Sequence, residues 1–227
     1  MGRSGVNAHA GAARWLTIHD ELLRGLSHTL SNRVATIDAA TYMLTLDGAD
    51  VASQTATLRS EAERLEALLH ALRALPRQDG GDAEPVMASD AVQGALSLHS
   101  HLGELRDVPC DVTVDADAMP GYADPVALQH ALLVALTTAR RSAHRAGGRV
   151  TVRVSGDAAV VRFAVDADSD DESRSDRAND AVAIDWLLGA HGGRSEPEAA
   201  MLTFTVPTLA AARNAERNAE RDARAPR

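Results

Sequence analysis

Apolar side chains recur every three or four residues between about residues 13 and 46. They fall at Leu16, Leu23, Leu26, Leu30, Val34, Ile37 and Leu44, with Thr41 continuing the row. This spacing predicts one stripe along an α-helix, which would be about 50 Å long at a rise of about 1.5 Å per residue. Helices of that length are typical of bundles and coiled coils, and Gly48 marks the end of this one.

A second stripe follows the break and ends before Pro76. Its apolar members are Leu58, Leu65, Leu68, Leu69, Leu72 and Leu75. Two long amphipathic helices joined by a short turn predict an antiparallel hairpin over residues 13–76. One hairpin leaves part of both stripes uncovered, so we expect a second copy to complete a four-helix bundle in a homodimer.

After the hairpin the pattern changes from one long period to short alternating elements. Residues 77–85 are rich in glycine and acids, which is typical of a linker. Residues 86–209 predict the order helix, strand, helix, strand, strand, helix, strand, which indicates helices packed on a sheet. The sequence therefore predicts an α+β chain in which a helical hairpin precedes an α/β domain.

Capping residues predict where several of these elements begin. Ser89 is the expected cap of the first helix of the α/β domain, and Asp124 followed by Pro125 begins the next helix. Residues 1–12 are expected to be disordered. The charged tail over residues 210–227 is expected to be frayed or disordered.

Composition narrows the kinds of partner. The formal net charge is −9 without a basic block, which argues against a nucleic acid held through its phosphates. No apolar run approaches the about 20 residues that cross a bilayer, and the N-terminus lacks the apolar core of a secretory signal. The lone cysteine, Cys110, excludes an internal disulfide. We therefore expect a cytoplasmic protein with neither a membrane nor a nucleic-acid partner.

Polar residues gather on the side of the first helix that faces away from its stripe. His28 lies roughly opposite Leu26 and Leu30 on a helical wheel, whereas Arg24 and Asn32 share its side. A solvent-exposed imidazole keeps a nucleophilic nitrogen at neutral pH. Arg24 is placed to neutralise a phosphoryl group, and Asn32 to orient a water or a phosphoryl oxygen. Most exposed histidines on helices have no such role, so position alone leaves the function of His28 open.

The order of motifs from about residue 15 to residue 207 resembles the sensor histidine kinases, which join a dimerising phosphoacceptor hairpin to an ATP-binding domain. "LSHTLSNRV" resembles the H-box of that hairpin, with His28 as the phosphoacceptor. "GYADPVALQHALLVALTTARRSA" resembles the segment that ends in the N-box helix, and "FAVDADSDD" lies where the family has its Asp-x-Gly-x-Gly turn. "LLGAHGGRSEPEAAMLTFTVP" resembles the final helix and closing strand. The resemblance implies an α/β-sandwich of the histidine-kinase ATPase type.

The chain departs from this family where the family holds its nucleotide. Val134 and Thr138 stand at the positions of the N-box asparagines that coordinate magnesium and phosphates. Asp166 keeps the acid that binds adenine, but Asp168 and Asp170 replace glycines of the turn. The acidic loop that begins there would repel a triphosphate. The resemblance therefore implies a degenerate site, with no ATP and no metal as cofactor.

The H-box departs as well. Thr29 follows the histidine where the family often has the acid that serves as general base in autophosphorylation. Asn32 matches the position that often holds Thr or Asn in members that dephosphorylate their partner. A phosphoacceptor without kinase machinery resembles the dimeric histidine phosphotransferases.

The leading interpretation is a phosphorelay intermediate in bacterial two-component signalling. His28 would accept a phosphoryl group from the aspartate of one response-regulator receiver domain and pass it to another without ATP. A hybrid histidine kinase is a further candidate partner. Three alternatives stay open: a phosphatase that uses Asn32, a non-catalytic scaffold or inhibitor, and an active ATP-dependent kinase. His99 and His101 suggest a metal site, but no second ligand pair supports it.

Overall fold

The computed structural model describes residues 3–46, 48–73, 81–168, 174–197 and 201–224. Its helices are α1 (Arg3–Leu44), α2 (Val51–Arg73), α3 (Ala88–His99), α4 (Pro125–Ala146), α5 (Arg174–Leu188) and α6 (Leu209–Arg224). Its strands are β1 (Glu84–Val86), β2 (Cys110–Val114), β3 (Gly121–Ala123), β4 (Val150–Gly156), β5 (Val160–Ala167), β6 (Arg194–Pro197) and β7 (Met201–Pro207). A helical hairpin thus precedes a mixed α/β domain, and the predicted fold class is confirmed.

Helices α1 and α2 pack against each other as the predicted hairpin. Asp50 caps α2, because its Oδ1 accepts from the backbone N–H of Ser53 at 3.0 Å. Further along, the carboxylate of Glu61 is buried and accepts from Arg33 of α1 at 3.3 Å and from Arg64 of α2 at 2.5 Å. Two guanidinium groups on one buried carboxylate offset the cost of taking it out of water.

Helix α1 begins earlier than the sequence pattern predicts. The expectation of disorder for residues 1–12 is wrong from residue 3 onward, since α1 starts at Arg3. Helix α1 also carries a second apolar stripe, Trp15, Ile18 and Leu22, which belongs to the core of the α/β domain together with Leu26 of the predicted stripe. The N-terminal half of α1 is therefore a structural part of the α/β domain as well as of the hairpin.

The stripe that the sequence pattern predicts along α1 is largely exposed. Leu16 is 59% exposed, Leu30 43% and Val34 54%. Leu23, midway between Leu16 and Leu30, is 36% exposed. Within the described residues of one chain, this apolar face has no cover. The homodimer predicted from the same residues remains a prediction.

The α/β domain is built on a five-stranded sheet with the order β2-β4-β5-β7-β6. Strand β2 runs parallel to β4, and the other neighbouring pairs are antiparallel. Val161, Phe163 and Val165 of β5 alternate into the core, where Phe163 stacks on Phe204 of β7 with ring centroids 5.0 Å apart. Helices α4 and α5 pack over this apolar face of the sheet, which brings α5 alongside the predicted N-box helix, α4.

Two capping predictions have different outcomes. Asp124 caps α4, because its Oδ1 accepts from the N–H of Val126 at 2.9 Å, and Gly147 ends the helix in the left-handed region at φ 68°. The predicted cap at Ser89 is wrong: α3 begins at Ala88 after Met87, without a capping side chain.

The ends of the α/β domain also differ from expectation. The tail was expected to be frayed or disordered from residue 210 onward. Residues 210–224 instead form most of α6. A small two-stranded sheet of β1 and β3 was not predicted. Residues 77–80 of the predicted linker lie outside the described residues, and its last two residues, 84–85, belong to β1. In the described part of the chain, no helix is both long and apolar enough to cross a bilayer.

Candidate functional site

His28 lies near the middle of α1 with its side chain exposed to solvent. The Nδ2 of Asn32, one turn later, lies 3.4 Å from the Nε2 of His28, which is a long hydrogen bond. An amide nitrogen only donates, so this contact favours the tautomer in which Nε2 carries its lone pair and Nδ1 the proton. The structure therefore brings together the two residues that the H-box resemblance singles out, with the nucleophilic nitrogen on the side of Asn32.

The hydroxyl groups beside His28 are engaged by the helix itself. Thr29 Oγ1 donates to the carbonyl oxygen of Gly25 at 2.9 Å, and Ser31 Oγ donates to that of Ser27 at 3.0 Å. Such back-bonding removes these hydroxyls from competition for a bound group. The Asn32 amide is the polar side chain that contacts the ring of His28.

Arg24, the third predicted site residue, is not directed at His28. Its Nη2 donates to Oδ2 of Asp20 at 2.8 Å, and the side chains of this pair are 71% and 68% exposed. An exposed pair of this kind contributes at most about 1 kcal/mol. The guanidinium group of Arg24 can therefore exchange Asp20 for a stronger anion at little cost.

An open groove of about 570 Å³ lies between α1 and the α/β domain. On the α1 side it is lined by Glu21, Arg24 and Gly25, and on the other side by Arg141 of α4 and the turn that contains His101. Arg141 donates to the carboxylate of Glu21 and so links α4 to α1. We call this space the α1–α4 groove. It opens on the face of α1 that carries His28, because helix positions three, four and seven residues apart share a face.

Gly25 permits the contact that closes one end of the α1–α4 groove. A β-carbon at this position would lie 1.7 Å from the carbonyl oxygen of His101. Only a residue without a side chain allows the His101 turn to rest on α1 one turn before His28. The spacing between the hairpin and the α/β domain is set here by direct backbone contact.

Thr138, one residue of the predicted nucleotide site, lines a small cavity between α4, α5 and the sheet. Its volume is about 10 Å³, which is room for about one water molecule. The residues around it are Ala135, Thr138, Ala139, Ser142, Ala167, Arg177, Asp180 and Leu202. Helix α5 packs directly on α4 at this place.

A side chain from the hairpin reaches the polar end of this cavity. Arg14 of α1 donates from Nε to Oδ1 of Asp180 at 2.7 Å and from Nη2 to Oγ1 of Thr138 at 2.8 Å. The Asp180 side chain is fully buried. Burial raises the pKa of Asp180, while Arg14 and the Thr138 hydroxyl lower it. Arg14 thus supplies the positive charge that a buried carboxylate needs.

The four residues predicted to mark the degenerate site do not gather there. Thr138 lines the cavity, but Val134 is buried in the core outside it. The alternation along β5 places Asp166 on the sheet face opposite α4. Asp168 is exposed, and its N–H donates to the carbonyl oxygen of Arg149 at 2.9 Å. Asp170 lies outside the described residues.

The two histidines considered as metal ligands differ in burial and in their contacts. His99 is fully buried with its Nδ1 3.1 Å from Nη1 of Arg140, and burial, followed by the charge of Arg140, lowers its pKa to about 3. His101 is half-buried, and burial and the charge of Arg33 lower its pKa. Among the described residues, no group of three or more His, Cys, Asp or Glu side chains could hold a metal ion. His99 is a structural acceptor for a buried arginine.

Several residues that shape the site were missed from the sequence. Arg14, Glu21, Asp180 and Arg141 make their contacts over more than a hundred positions of sequence. Trp15 and Ile18 on α1 were an available signal, because they do not fit the predicted stripe. A second apolar stripe on one helix indicates a second packing partner.

No family model matches the chain, and no curated protein matches it. Among solved structures it is similar to the histidine kinase AdeS of Acinetobacter baumannii, with 15% identity, 80% of this chain and 98% of that chain covered, and a TM-score of 0.46. It is similar to full-length ShkA in complex with AMPPNP, with 19% identity, 85% and 47% covered, and a TM-score of 0.45. A structure described as a bacterial phosphotransferase has 17% identity, 84% and 95% covered, and a TM-score of 0.41. At these sequence identities and TM-scores, the chemistry of this chain has to be deduced from its own residues.

Proposed function

We propose that this chain is a histidine phosphotransferase of bacterial two-component signalling, which moves a phosphoryl group between receiver-domain aspartates through His28 without using ATP. The observation that carries the proposal is the exposed His28 ring with the Asn32 amide 3.4 Å from its Nε2. A phosphoacceptor has to be reached by a second protein, and the side chain of His28 is exposed to solvent. The reaction would take place in the cytoplasm, where we expect the receiver partners.

The chemistry requires little beyond alignment and charge neutralisation. The lone pair of His28 Nε2 attacks phosphorus, the bond between phosphorus and the aspartyl oxygen breaks, and the aspartate leaves as a carboxylate. The proton on Nδ1 passes to solvent from the exposed ring, and it returns when the phosphoryl group moves to the next aspartate. Asn32 can then donate to a phosphoryl oxygen, and Arg24 can neutralise its charge after leaving Asp20.

The small volume of the cavity between α4 and α5 supports a reaction without ATP. A nucleotide needs several hundred Å³, whereas about 10 Å³ is present between α4 and α5. Arg14 and Asp180 add a buried ion pair that would have to be opened first. Phosphate uptake from a phosphorylated protein avoids both obstacles.

A homodimer belongs to this proposal. Leu16, Leu23 and Leu30 follow one another at intervals of seven residues along α1 and are all at least partly exposed. A repeat of seven is the signature of helices that pack along their length. Pairing two hairpins over this face leaves His28, on another side of α1, open to a partner.

Incubation with a receiver domain carrying radiolabelled phosphate tests the proposal. We expect label to pass to the wild-type protein and then to a second receiver, whereas His28→Ala accepts none. His70→Ala is the matched control, because His70 is an exposed histidine on α2. Labelled ATP should leave the protein unlabelled. Acceptance of label by His28→Ala, or uptake from ATP, would contradict the proposal.

A phosphatase is the second candidate, and the contact of Asn32 with His28 is the observation that favours it. Here Asn32 would orient a water for attack on the receiver's acyl phosphate. Release of inorganic phosphate that survives His28→Ala but is lost in Asn32→Ala would indicate this activity. Binding that neither substitution changes, without transfer or hydrolysis, would indicate a scaffold.

A further inference from the structure

The α1–α4 groove brings a cation of the α/β domain to the side of α1 that carries His28. Arg141 lies on α4, yet it donates to Glu21 of α1, and Glu21 lies two turns before His28 on the same face. At about 1.5 Å per residue, the two positions are about 10 Å apart along the helix. A protein that docks on His28 therefore extends over the groove.

The groove is held open by the fold. Gly25 and the His101 carbonyl oxygen set the distance between α1 and the α/β domain by backbone contact. Arg14 bonded to Asp180 and the buried Ile18 fix the same helix on α5 and the domain core. The fold therefore holds Arg141 against Glu21 of α1, two turns before His28.

The charges in the groove suit an anionic occupant. The guanidinium groups of Arg24 and Arg141 line it together with the carboxylate of Glu21. Arg24 is paired with Asp20 and Arg141 with Glu21, so an anionic occupant replaces one of these carboxylates. The side chains of Arg141 and Glu21 are each about one-third exposed, so an anion that enters the groove can reach the guanidinium group and compete with Glu21. The volume of about 570 Å³ exceeds the needs of one phosphoryl group and suits several side chains.

We propose that the α1–α4 groove receives an acidic segment of the receiver domain adjacent to its phosphorylated aspartate, and that Arg141 leaves Glu21 to bind this segment. The inference rests on the proposed function, because the receiver is the partner assumed there. It assigns a docking role to the α/β domain, which delivers no nucleotide under the proposed function. Arg141 is a partner-binding residue and does not touch the reacting nitrogen.

Two substitutions of the same ion pair provide the test. The rate of phosphoryl transfer is measured against receiver concentration for wild type, Arg141→Gln and Glu21→Gln. Arg141→Gln should raise the half-saturating concentration by about tenfold with a maximal rate within about twofold of wild type. Glu21→Gln should lower that concentration by a few fold, because it frees Arg141 and removes a negative charge.

The opposite directions of these two shifts distinguish a docking role of Arg141 from a purely structural one. If the ion pair only holds the domains together, both substitutions break it and both shift the rate in the same direction. Arg145→Gln is the matched control, because Arg145 is exposed one turn further along α4 and does not line the groove. Thermal unfolding followed by circular dichroism reports whether each variant is folded.

The outcomes also separate this inference from the proposed function. Transfer through His28 with unchanged half-saturation in both groove variants would overturn the docking role alone. Equal shifts in the same direction would overturn it as well. A wild-type protein that neither accepts phosphate from a receiver nor binds it would overturn the phosphotransferase proposal itself.

Discussion

Arg14, near the start of α1, is bonded through Nε to Oδ1 of Asp180 on α5 at 2.7 Å. The contact joins the helix of the candidate phosphoacceptor to the wall of the small cavity between α4 and α5. Asp180 is fully buried and Arg14 is only 16% exposed, so solvent screens the pair weakly. This pair and the surrounding core residues of α1 hold the helix and the α/β domain together.

Arg14→Ala should lower the free energy of unfolding by about 3 kcal/mol, because it leaves a buried carboxylate without its counter-charge. Chemical denaturation of Arg14→Ala, Asp180→Asn and the double variant measures the coupling. The double variant should lose less than the sum of the two single variants.

The loss of unfolding free energy caused by Arg14→Ala should become larger as pH rises. Burial raises the folded-state pKa of Asp180 above its value in the unfolded chain, and without Arg14 that pKa rises further. The folded state then binds the proton more tightly, so stability is present at low pH and is lost as pH rises through the folded pKa. A loss independent of pH would contradict this account of the ion pair.

Gly25→Ala should destabilise the fold, although the change from glycine to alanine in a helix ordinarily stabilises it. Inside an exposed helix this change stabilises by about 1 kcal/mol through helix propensity. At Gly25 the new β-carbon would lie 1.7 Å from the His101 carbonyl oxygen. We therefore expect a destabilisation of about 1–3 kcal/mol, which is typical of overpacking. Ser27→Ala, at an exposed position of the same helix, should show the ordinary small effect, and a stabilised Gly25→Ala would disprove the contact.

The sequence predicts the elements of this fold better than their contacts. Periodicity predicts the hairpin because one stripe of α1 repeats over many turns, and the Asp124-Pro125 start of α4 is a local signal. The docking of Trp15 and Ile18 on the α/β domain was not predicted. Packing between distant segments depends on the shape of both surfaces, and spacing along one helix describes only one of them.

In the candidate site, too, the sequence predicts local contacts better than contacts between distant segments. His28 and Asn32 are one turn apart on one helix, so their contact follows from helix geometry. Arg24 shares their side, but a nearby carboxylate, Asp20, competes for its guanidinium group. The pairing of Arg141 with Glu21 spans two domains. No local pattern predicts such a pair.

The exposed face of α1 should mediate a dimer. Leu23→Arg places a charge in the middle of the row formed by Leu16, Leu23 and Leu30. Because like charges would meet in a symmetric helix pair, we expect sedimentation velocity to show a monomer where wild type shows a dimer. Val112→Arg is the matched control, since Val112 is 41% exposed on β2, away from the hairpin. A monomeric wild type, or a dimer that survives Leu23→Arg, would contradict the pairing over this face.

His99 should make the fold less stable in mild acid. Its pKa is about 3 in the folded protein, because burial and the charge of Arg140 disfavour the imidazolium form, against an ordinary value of 6.5. Between those two values the unfolded chain binds a proton that the folded protein refuses, so stability falls as pH falls through this window.

His99→Gln keeps an acceptor for Arg140 and removes the titration. From pH about 6.5 to about 5, wild type should therefore lose about 1.5 kcal/mol more unfolding free energy than His99→Gln. Urea denaturation at several pH values measures this difference, and His70→Gln on the exposed side of α2 provides the control. Parallel pH profiles for wild type and His99→Gln would show that His99 takes up its proton in the folded state, and the buried contact with Arg140 would then be wrong.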